Sequence, residues 1–421
     1  MTRLLSLLRG PRGLSLAAQG ASAVLGFAGF ALVARTLSPE GFGAWVLYLT
    51  VATFFDMLRS GLVQAAYVQR ASGAAPREAV QALGAAWTVA LTATLVIASL
   101  GALAGVLGGT GGLWDALAAF PVLVVAALPH TVASWRAQAE ERFGRILALR
   151  LMVSAGFVGA VLILRDGLTV GTLAWAHAGV HAAVSLLAMR WAGLGALRQS
   201  TQSGVRALLR FGRFSAITTV GANLLRSADA LILGAVLGPA AVALYGVPQK
   251  LVEAAEVPIR GLAGAAFPAL ARSAREGEDR AFSARLGRDV GSLTLLLLPA
   301  VVLGWVFAPE ATAFLGGEAY AEAGAAFRWF LLYALLLPAD RFLGLALDAL
   351  GRPHLNTLKV GAMLGANLAG DALVLALGSG VTEVAAVTVA MTAVGVMLGG
   401  WLVSREVPLT LATTRPIPST V

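Results

Sequence analysis

The sequence predicts an all-α polytopic membrane protein with about twelve transmembrane helices in two pseudo-symmetric six-helix lobes. Three observations predict it: an apolar, charge-poor composition, Lys and Arg gathered in alternate connections, and a faint repeat at an offset of 200 positions.

Composition carries the first argument. The chain is 58% hydrophobic and 13% charged, with a mean hydropathy of +0.80, against roughly 45–50% apolar and about 25% charged in an ordinary soluble domain. No charge interrupts the chain between Glu78 and Asp115, so lipid is a better solvent for this stretch than water. There is no cysteine, which excludes disulfides, thiolate metal sites and iron–sulfur chemistry. The net charge of +9 does not point to nucleic acid, because the basic residues lie between apolar spans rather than on one polar face. Arg3, Arg9 and Arg12 precede an apolar run over 14–34 that looks like a signal peptide. Its length is enough to span, and it has a counterpart in the second half, so it is read as the first transmembrane helix.

Apolar stretches bounded by charge or Gly/Pro place helices near 14–34, 44–66, 79–106, 113–135, 146–164 and 168–189 in the first half. The second half places them near 213–237, 240–268, 287–308, 323–347, 355–377 and 381–403. With the N-terminus inside, the cytoplasmic segments hold Arg3, Arg9, Arg12, Arg70, Arg77, Arg136, Arg142, Arg145, Arg150, Arg190, Arg198, Arg206, Arg210 and Arg213. They also hold Arg272, Arg275, Arg280, Arg285, Arg288, Arg352, Lys359, Arg405 and Arg415, whereas the outer connections hold only Arg35 and Arg165. That asymmetry fixes an even number of spans and both termini on the cytoplasmic side.

A shift of 200 positions aligns Leu37 and Pro39 with Leu237 and Pro239, Trp45 with Tyr245, Asp56 with Glu256, and Gly61-Leu62 with Gly261-Leu262. Gly144-Arg145 and Gly351-Arg352 echo each other after the fourth helix of each half. The expected organisation is a six-helix lobe over 1–193, a cytoplasmic interfacial linker over 194–213, and a second six-helix lobe with a short tail over 214–421. Arg206, Arg210 and Arg213 share one face of the linker, as anionic lipid headgroups would require.

Charge inside a span is costly and therefore a functional candidate. The cations Arg59, Arg226, Lys250, Arg260 and Arg341 are the candidate substrate-binding set, since Arg and Lys in a cleft suit a phosphate or pyrophosphate. Asp56, Asp229, Glu253 and Glu256 stand one turn from Arg59, Arg226, Lys250 and Arg260, as coupling groups or as internal neutralising partners. Arg59, Arg226 and Lys250 are expected to line a water-accessible cavity. Arg328 is expected to snorkel to the outer interface. Asp371, with Asn367 one turn earlier, is a candidate proton or sodium site. His177 and His181 have metal-compatible spacing, but no Glu or Cys completes a ligand set, and His130 adds nothing specific. Prolines at 121, 129, 248, 258, 299 and 338 are candidate bends.

The segments Leu225-Arg226-Ser227-Ala228-Asp229, 237–245 from Leu237 to Tyr245, and Phe267-Pro268-Ala269-Leu270 resemble helices 7 and 8 of the polysaccharide transporters. These are the lipid-linked oligosaccharide flippases of the multidrug/oligosaccharidyl-lipid/polysaccharide (MOP) exporter superfamily. The stretch 37–45, with Gly43 two residues before Trp45, gives the matching turn in the first half; Ala243 departs from it before Tyr245. The resemblance implies a MATE-like two-lobe fold in a bacterial cytoplasmic membrane, and alternating access for a polyprenyl-(pyro)phosphate-linked glycan. It implies a transporter rather than an enzyme, without a cofactor, driven by a proton or sodium gradient or the membrane potential. The expected partners are the lipid-linked glycan, membrane lipids, and polysaccharide polymerase and glycosyltransferase machinery. The rival is a cation-coupled multidrug exporter of the same superfamily. A membrane glycosyltransferase or O-antigen ligase is disfavoured because the longest outer connection, 309–322, holds three carboxylates and no base.

Overall fold

A computed structural model describes residues 11–408. Arg3, Arg9 and Arg415 of the expected cytoplasmic set lie outside the described residues. Twelve long helices follow in order: α1 (Pro11–Thr36), α2 (Pro39–Ala71), α3 (Pro76–Leu107), α4 (Phe120–Ala139), α5 (Phe143–Leu164), α6 (Val170–Ala192), α7 (Gln202–Val236), α8 (Pro239–Glu276), α9 (Asp279–Val306), α10 (Gly324–Ala349), α11 (Pro353–Ala376) and α12 (Val381–Glu406). Each expected span falls on one of them except 113–135, which is divided between a short helix, Leu113–Leu117, and α4. Eight are long and apolar enough to cross a membrane by length and composition alone: α2, α3, α5, α6, α9, α10, α11 and α12. In α8 the apolar run is interrupted by Lys250, Glu253, Glu256 and Arg260; charges held inside a bundle are what such a measure misses. Large apolar side chains stand exposed along α3 (Leu95, Leu100, Leu103, Val106) and α9 (Leu295, Leu296, Leu303, Val306), the surface expected to face lipid in a multi-pass membrane protein.

Local chemistry fixes the helix starts. Ser38 caps α2 by accepting from the Gly41 amide at 3.2 Å, with Pro39 at the first helical position and Glu40 in the first turn. Thr169 and Thr172 form a reciprocal capping box at α6, and Glu383 reaches back to the Gly380 amide at 2.9 Å to start α12. Pro121 lies in the first turn of α4 rather than at a bend, while Pro129, Pro248, Pro258, Pro268, Pro299 and Pro338 sit inside helices.

The chain forms two compact units, one running to Gly234 with Gly238–Ala243, the other containing Ala235–Leu237 and everything from Leu244 onward. In the first, α4 packs on α6, α5 on α6, and α3 on α4; in the second, α10 packs on α12, α11 on α12, and α9 on α10. The same pairings six helices apart are the two-lobe repeat expected from the sequence. Trp45 and Tyr245, aligned by the repeat, are both buried anchors. Trp45 packs on Phe157 and His177 of α5 and α6, and Tyr245 packs on Phe330 of α10 and hydrogen-bonds Thr388 of α12 at 3.0 Å.

By contact α7 belongs to the first unit, one helix later than the linker boundary expected from the sequence. The reason is a glycine-lined seam along α2. A Cβ on Gly61 would run into the Ala216 backbone of α7 and one on Gly212 of α7 into the Leu62 carbonyl, while one on Gly43 would run into the carbonyl of Pro239, the first residue of α8. Small residues let two backbones approach where apolar burial gives little drive. The linker itself is a 3-10 turn, Leu194–Gln199, packed on α3 where Gly84 leaves room for the Ala196 carbonyl, and then the first turns of α7. Arg206, Arg210 and Arg213 are exposed there, with Arg213 stacked over Phe214 at 4.7 Å.

Candidate functional site

The first unit holds an open cavity of about 570 Å³ with a mixed polar and apolar lining among α2, α4 and α5. On α2, Asp56, Ser60 and Gln64 recur every fourth residue and so share one face. On α4 the lining is His130, Thr131, Ser134 and Gln138; on α5 it is Arg150 and Ser154, with Phe143, Ile146 and Leu147 as an apolar wall. Gln64 Nε2 donates to Gln138 Oε1 at 2.9 Å across the space. Arg150 makes no hydrogen bond or ion pair among the described residues and is exposed to the cavity. The sequence reading placed it in a cytoplasmic connection; it stands inside α5.

Arg59 does not line this cavity. Its side chain is 2% exposed and turns into the unit, where Nη1 donates to Thr94 Oγ1 at 3.2 Å and the Val124 carbonyl at 3.0 Å. Nη2 is paired with Asp56 and reaches Thr131 Oγ1 at 3.4 Å, while Nε is buried without a partner. The expectation that Arg59 lines a water-accessible cavity is corrected: a desolvated guanidinium needs several acceptors, and α2, α3 and α4 supply them. The group of this pair that meets the cavity is Asp56, half exposed.

His130 of the cavity wall is followed inward by two more histidines. His177 and His181 face each other through their Nε2 atoms at 3.1 Å, and the His181 ring lies 5.0 Å from that of His130. His130 Nδ1 is 3.1 Å from Ser185 Oγ. The rings bond to one another instead of converging on a point, and among the described residues no group of three His, Cys, Asp or Glu is arranged to hold a metal ion.

In the second unit Lys359, counted from sequence as a cytoplasmic cation, is 2% exposed and pairs with Asp340 at 2.6 Å. Arg341 beside it is exposed and makes no hydrogen bond or ion pair among the described residues. Lys250 pairs with Glu253 at 2.7 Å and Arg260 with Glu256 at 3.4 Å, all four at least partly exposed. Asp371 and Asn367 are fully buried and hydrogen-bonded at 3.2 Å. Arg328 donates to the Trp305 carbonyl at 3.2 Å near the end of α9. Asp229 is 4% exposed in the first unit; the side chain of Arg226 lies outside the described residues.

Of the candidate cations, then, Arg59 is committed internally, Lys250 and Arg260 are paired one turn away, and Arg341 is free. Sequence reasoning missed Arg150, Lys359 and the amide and hydroxyl lining. The signal for the lining was present: Asp56, Ser60 and Gln64 on α2, and Thr131, Ser134 and Gln138 on α4, keep a polar helical period through apolar segments.

Residues 13–274 match the family model described as polysaccharide biosynthesis protein. No curated protein sequence gives a significant match. Among solved structures, an inward-facing multidrug resistance MATE transporter of the MOP superfamily aligns at TM-score 0.71 and 15% identity, covering 91% of this chain and 95% of that one. The lipid II flippase MurJ, in an inward closed conformation, aligns at 0.75 and 11%, covering 93% and 87%. A MOP superfamily transporter from Pyrococcus furiosus, with a binding pocket described as reversed in polarity, aligns at 0.55 and 17%, covering 95% and 98%.

Proposed function

Because the chain belongs to the polysaccharide biosynthesis protein family and has the fold of the MOP-superfamily transporters, we propose that it is a flippase. In this reading it carries a polyprenyl-(pyro)phosphate-linked oligosaccharide from the cytoplasmic to the outer leaflet of a bacterial inner membrane by alternating access. The observation that carries this is the cavity of the first unit, where one uncommitted guanidinium, Arg150, stands among Ser60, Gln64, Ser134 and Gln138. Amides and hydroxyls both donate and accept, which suits sugar hydroxyls of any orientation. Arg150 offers a planar fork to a phosphate, and it sits toward the α4–α5 turn, on the side expected to be cytoplasmic. Arg341 supplies a second free cation in the other unit. No bond is made or broken in such a cycle; the work comes from a proton or sodium gradient or the membrane potential, with Asp371 as an ion-binding carboxylate of the second unit.

Asp56, half exposed in the same cavity, favours a second reading, export of a cationic drug. One assay separates the two. Proteoliposomes are loaded with a fluorescent polyprenyl diphosphate-linked disaccharide, and flipping is read as accessibility to an impermeant quencher. The wild type flips the probe, and Arg150→Gln slows it roughly tenfold or more, the loss expected for one charge-assisted hydrogen bond of about 1.5–3 kcal/mol. No flipping by the wild type, with gradient-driven uptake of ethidium instead, replaces this reading with the drug exporter.

A further inference from the structure

Three of the four histidines of the chain meet in the first unit, and the transport reading above uses none of them. We propose that His177 and His181, reached through His130, form a proton-binding site within this unit. Proton binding there stands independently of the substrate; its role in energy coupling rests on the transport reading.

A neutral imidazole carries one N–H. The 3.1 Å approach of the two Nε2 atoms requires a proton on one of them and a lone pair on the other. The ring that donates through Nε2 therefore has a bare Nδ1, and the ring that accepts must carry its hydrogen on Nδ1. Both Nδ1 atoms are buried and without a partner among the described residues. A histidine pair kept only for packing would be expected to satisfy those atoms. Here the neutral pair leaves one orphan donor and one orphan acceptor, and the bare Nδ1 is where an added proton goes. The ring so charged keeps its Nε2–H bond to its neighbour, now strengthened by charge.

His177 sits in an aromatic box of Trp45, Phe157 and Tyr48, with ring centroids 5.6, 5.4 and 6.5 Å away and all three rings edge-on to it. The way in is also present. The His181 ring lies against that of His130, tilted by 48°, and His130 lines the cavity together with Asp56. The ionisable groups presented by the elements packed on α6 are Asp56, Arg59 and Tyr48 from α2, His130 from α4, Arg150 from α5, and Asp115 from the short helix Leu113–Leu117 beside Gly171, with Arg136 of α4 and Arg145 of α5 held at Trp191, at the far end of α6. Arg59 is neutralised by Asp56. A proton arriving through the cavity thus meets one carboxylate and then a string of three imidazoles ending in the aromatic box.

The test uses the full chain in nanodiscs, labelled with 15N-histidine, with His354→Gln removing the remaining histidine signal. Between pH 8 and 5 the spectra should show a tautomeric pair give way to one imidazolium shared by His177 and His181. Rings that stay neutral throughout overturn the site. The second arm uses the vesicles described above in sodium-free buffer with the membrane potential clamped. A one-unit pH gradient should displace the steady-state distribution of the labelled diphosphate lipid by about tenfold per coupled proton in the wild type, and not in His181→Gln. His130→Gln, which leaves the pair intact, should lose the response as well and serves if the first variant does not fold. An equal response in wild type and variants overturns the coupling role. A wild type that never moves the lipid refutes the substrate reading, while the spectra still decide the proton site.

Discussion

Lys359 of α11 and Asp340 of α10 form an ion pair, Nζ to Oδ1 at 2.6 Å, and the same ammonium donates to the Asp340 backbone carbonyl at 2.8 Å. The lysine side chain is 3% exposed and the aspartate 22%. Successive residues on a helix point about 100° apart, so Asp340 can face α11 while its neighbour Arg341 faces out. The pairing therefore crosses between helices and leaves Arg341 uncommitted. In a purely local pairing the two would have cancelled.

Lys359→Met should destabilise the protein strongly, because it strands a mostly buried carboxylate. Removing one partner of a buried pair costs about 3–5 kcal/mol; the partial exposure of Asp340 puts the expectation at the lower end of that range. Thermal unfolding in detergent checks it. The double variant Lys359→Met/Asp340→Leu should recover most of the loss, since the desolvated charge is then gone as well.

This pair also marks the limit of what the sequence could say. The twelve helices were legible because lipid imposes length and apolarity on each segment separately, and the repeat was legible at Trp45 and Tyr245 because both are buried anchors. Lys359 was not, because six residues from a Pro-initiated helix start it looks like one more basic residue of a cytoplasmic turn. Arg59 and Asp56 were recognised as a pair from their spacing. Which of the two meets water was decided by Thr94, Val124 and Thr131, which lie 35, 65 and 72 positions away. Arg150 was hidden in the same way: its place in the charge count was correct for orientation and uninformative about the cavity it enters.

Arg59→Gln should lower stability by about 3 kcal/mol or more, for it removes a desolvated guanidinium that satisfies four acceptors. Asp56→Asn should cost at least as much, because it leaves a guanidinium that is 2% exposed without a counter-charge, whereas Arg59→Gln leaves a half-exposed carboxylate that water can reach. Unfolding midpoints of the two variants, with the double variant closing the cycle, test the order. If Asp56→Asn proves clearly the milder change, the neutral acceptors Thr94, Val124 and Thr131 suffice to hold the guanidinium.

Gly43→Ala and Gly212→Ala should each cost about 1–3 kcal/mol or more, since the added methyl meets backbone carbonyls of Pro239 and Leu62 that cannot rotate away. Gly365→Ala is the control. It is exposed in α11, a Cβ there meets nothing within 4 Å, and helix propensity alone favours the change by roughly 1 kcal/mol. Expression level and unfolding temperature distinguish the seam glycines from the control. Equal behaviour of all three would mean that α2 does not pack along this seam on α7 and the start of α8.

Arg341→Gln should separate function from stability. Its side chain is exposed and unpaired among the described residues, so its removal should change stability by no more than about 0.5 kcal/mol. If the substrate is anionic, the same change should weaken transport of the labelled diphosphate lipid roughly tenfold, the scale of one charge-assisted contact. Arg328→Gln is the comparison at equal charge: Arg328 is tied to the Trp305 carbonyl at 3.2 Å, and its loss should leave the flipping rate unchanged. A long-range field effect would slow both variants alike, and more at low ionic strength, whereas direct contact slows Arg341→Gln alone at any salt concentration. Arg341→Lys then decides the kind of contact. A point charge in place of the planar fork should restore most of the rate if the lipid phosphate meets the group end-on, and little of it if two oxygens are held side by side.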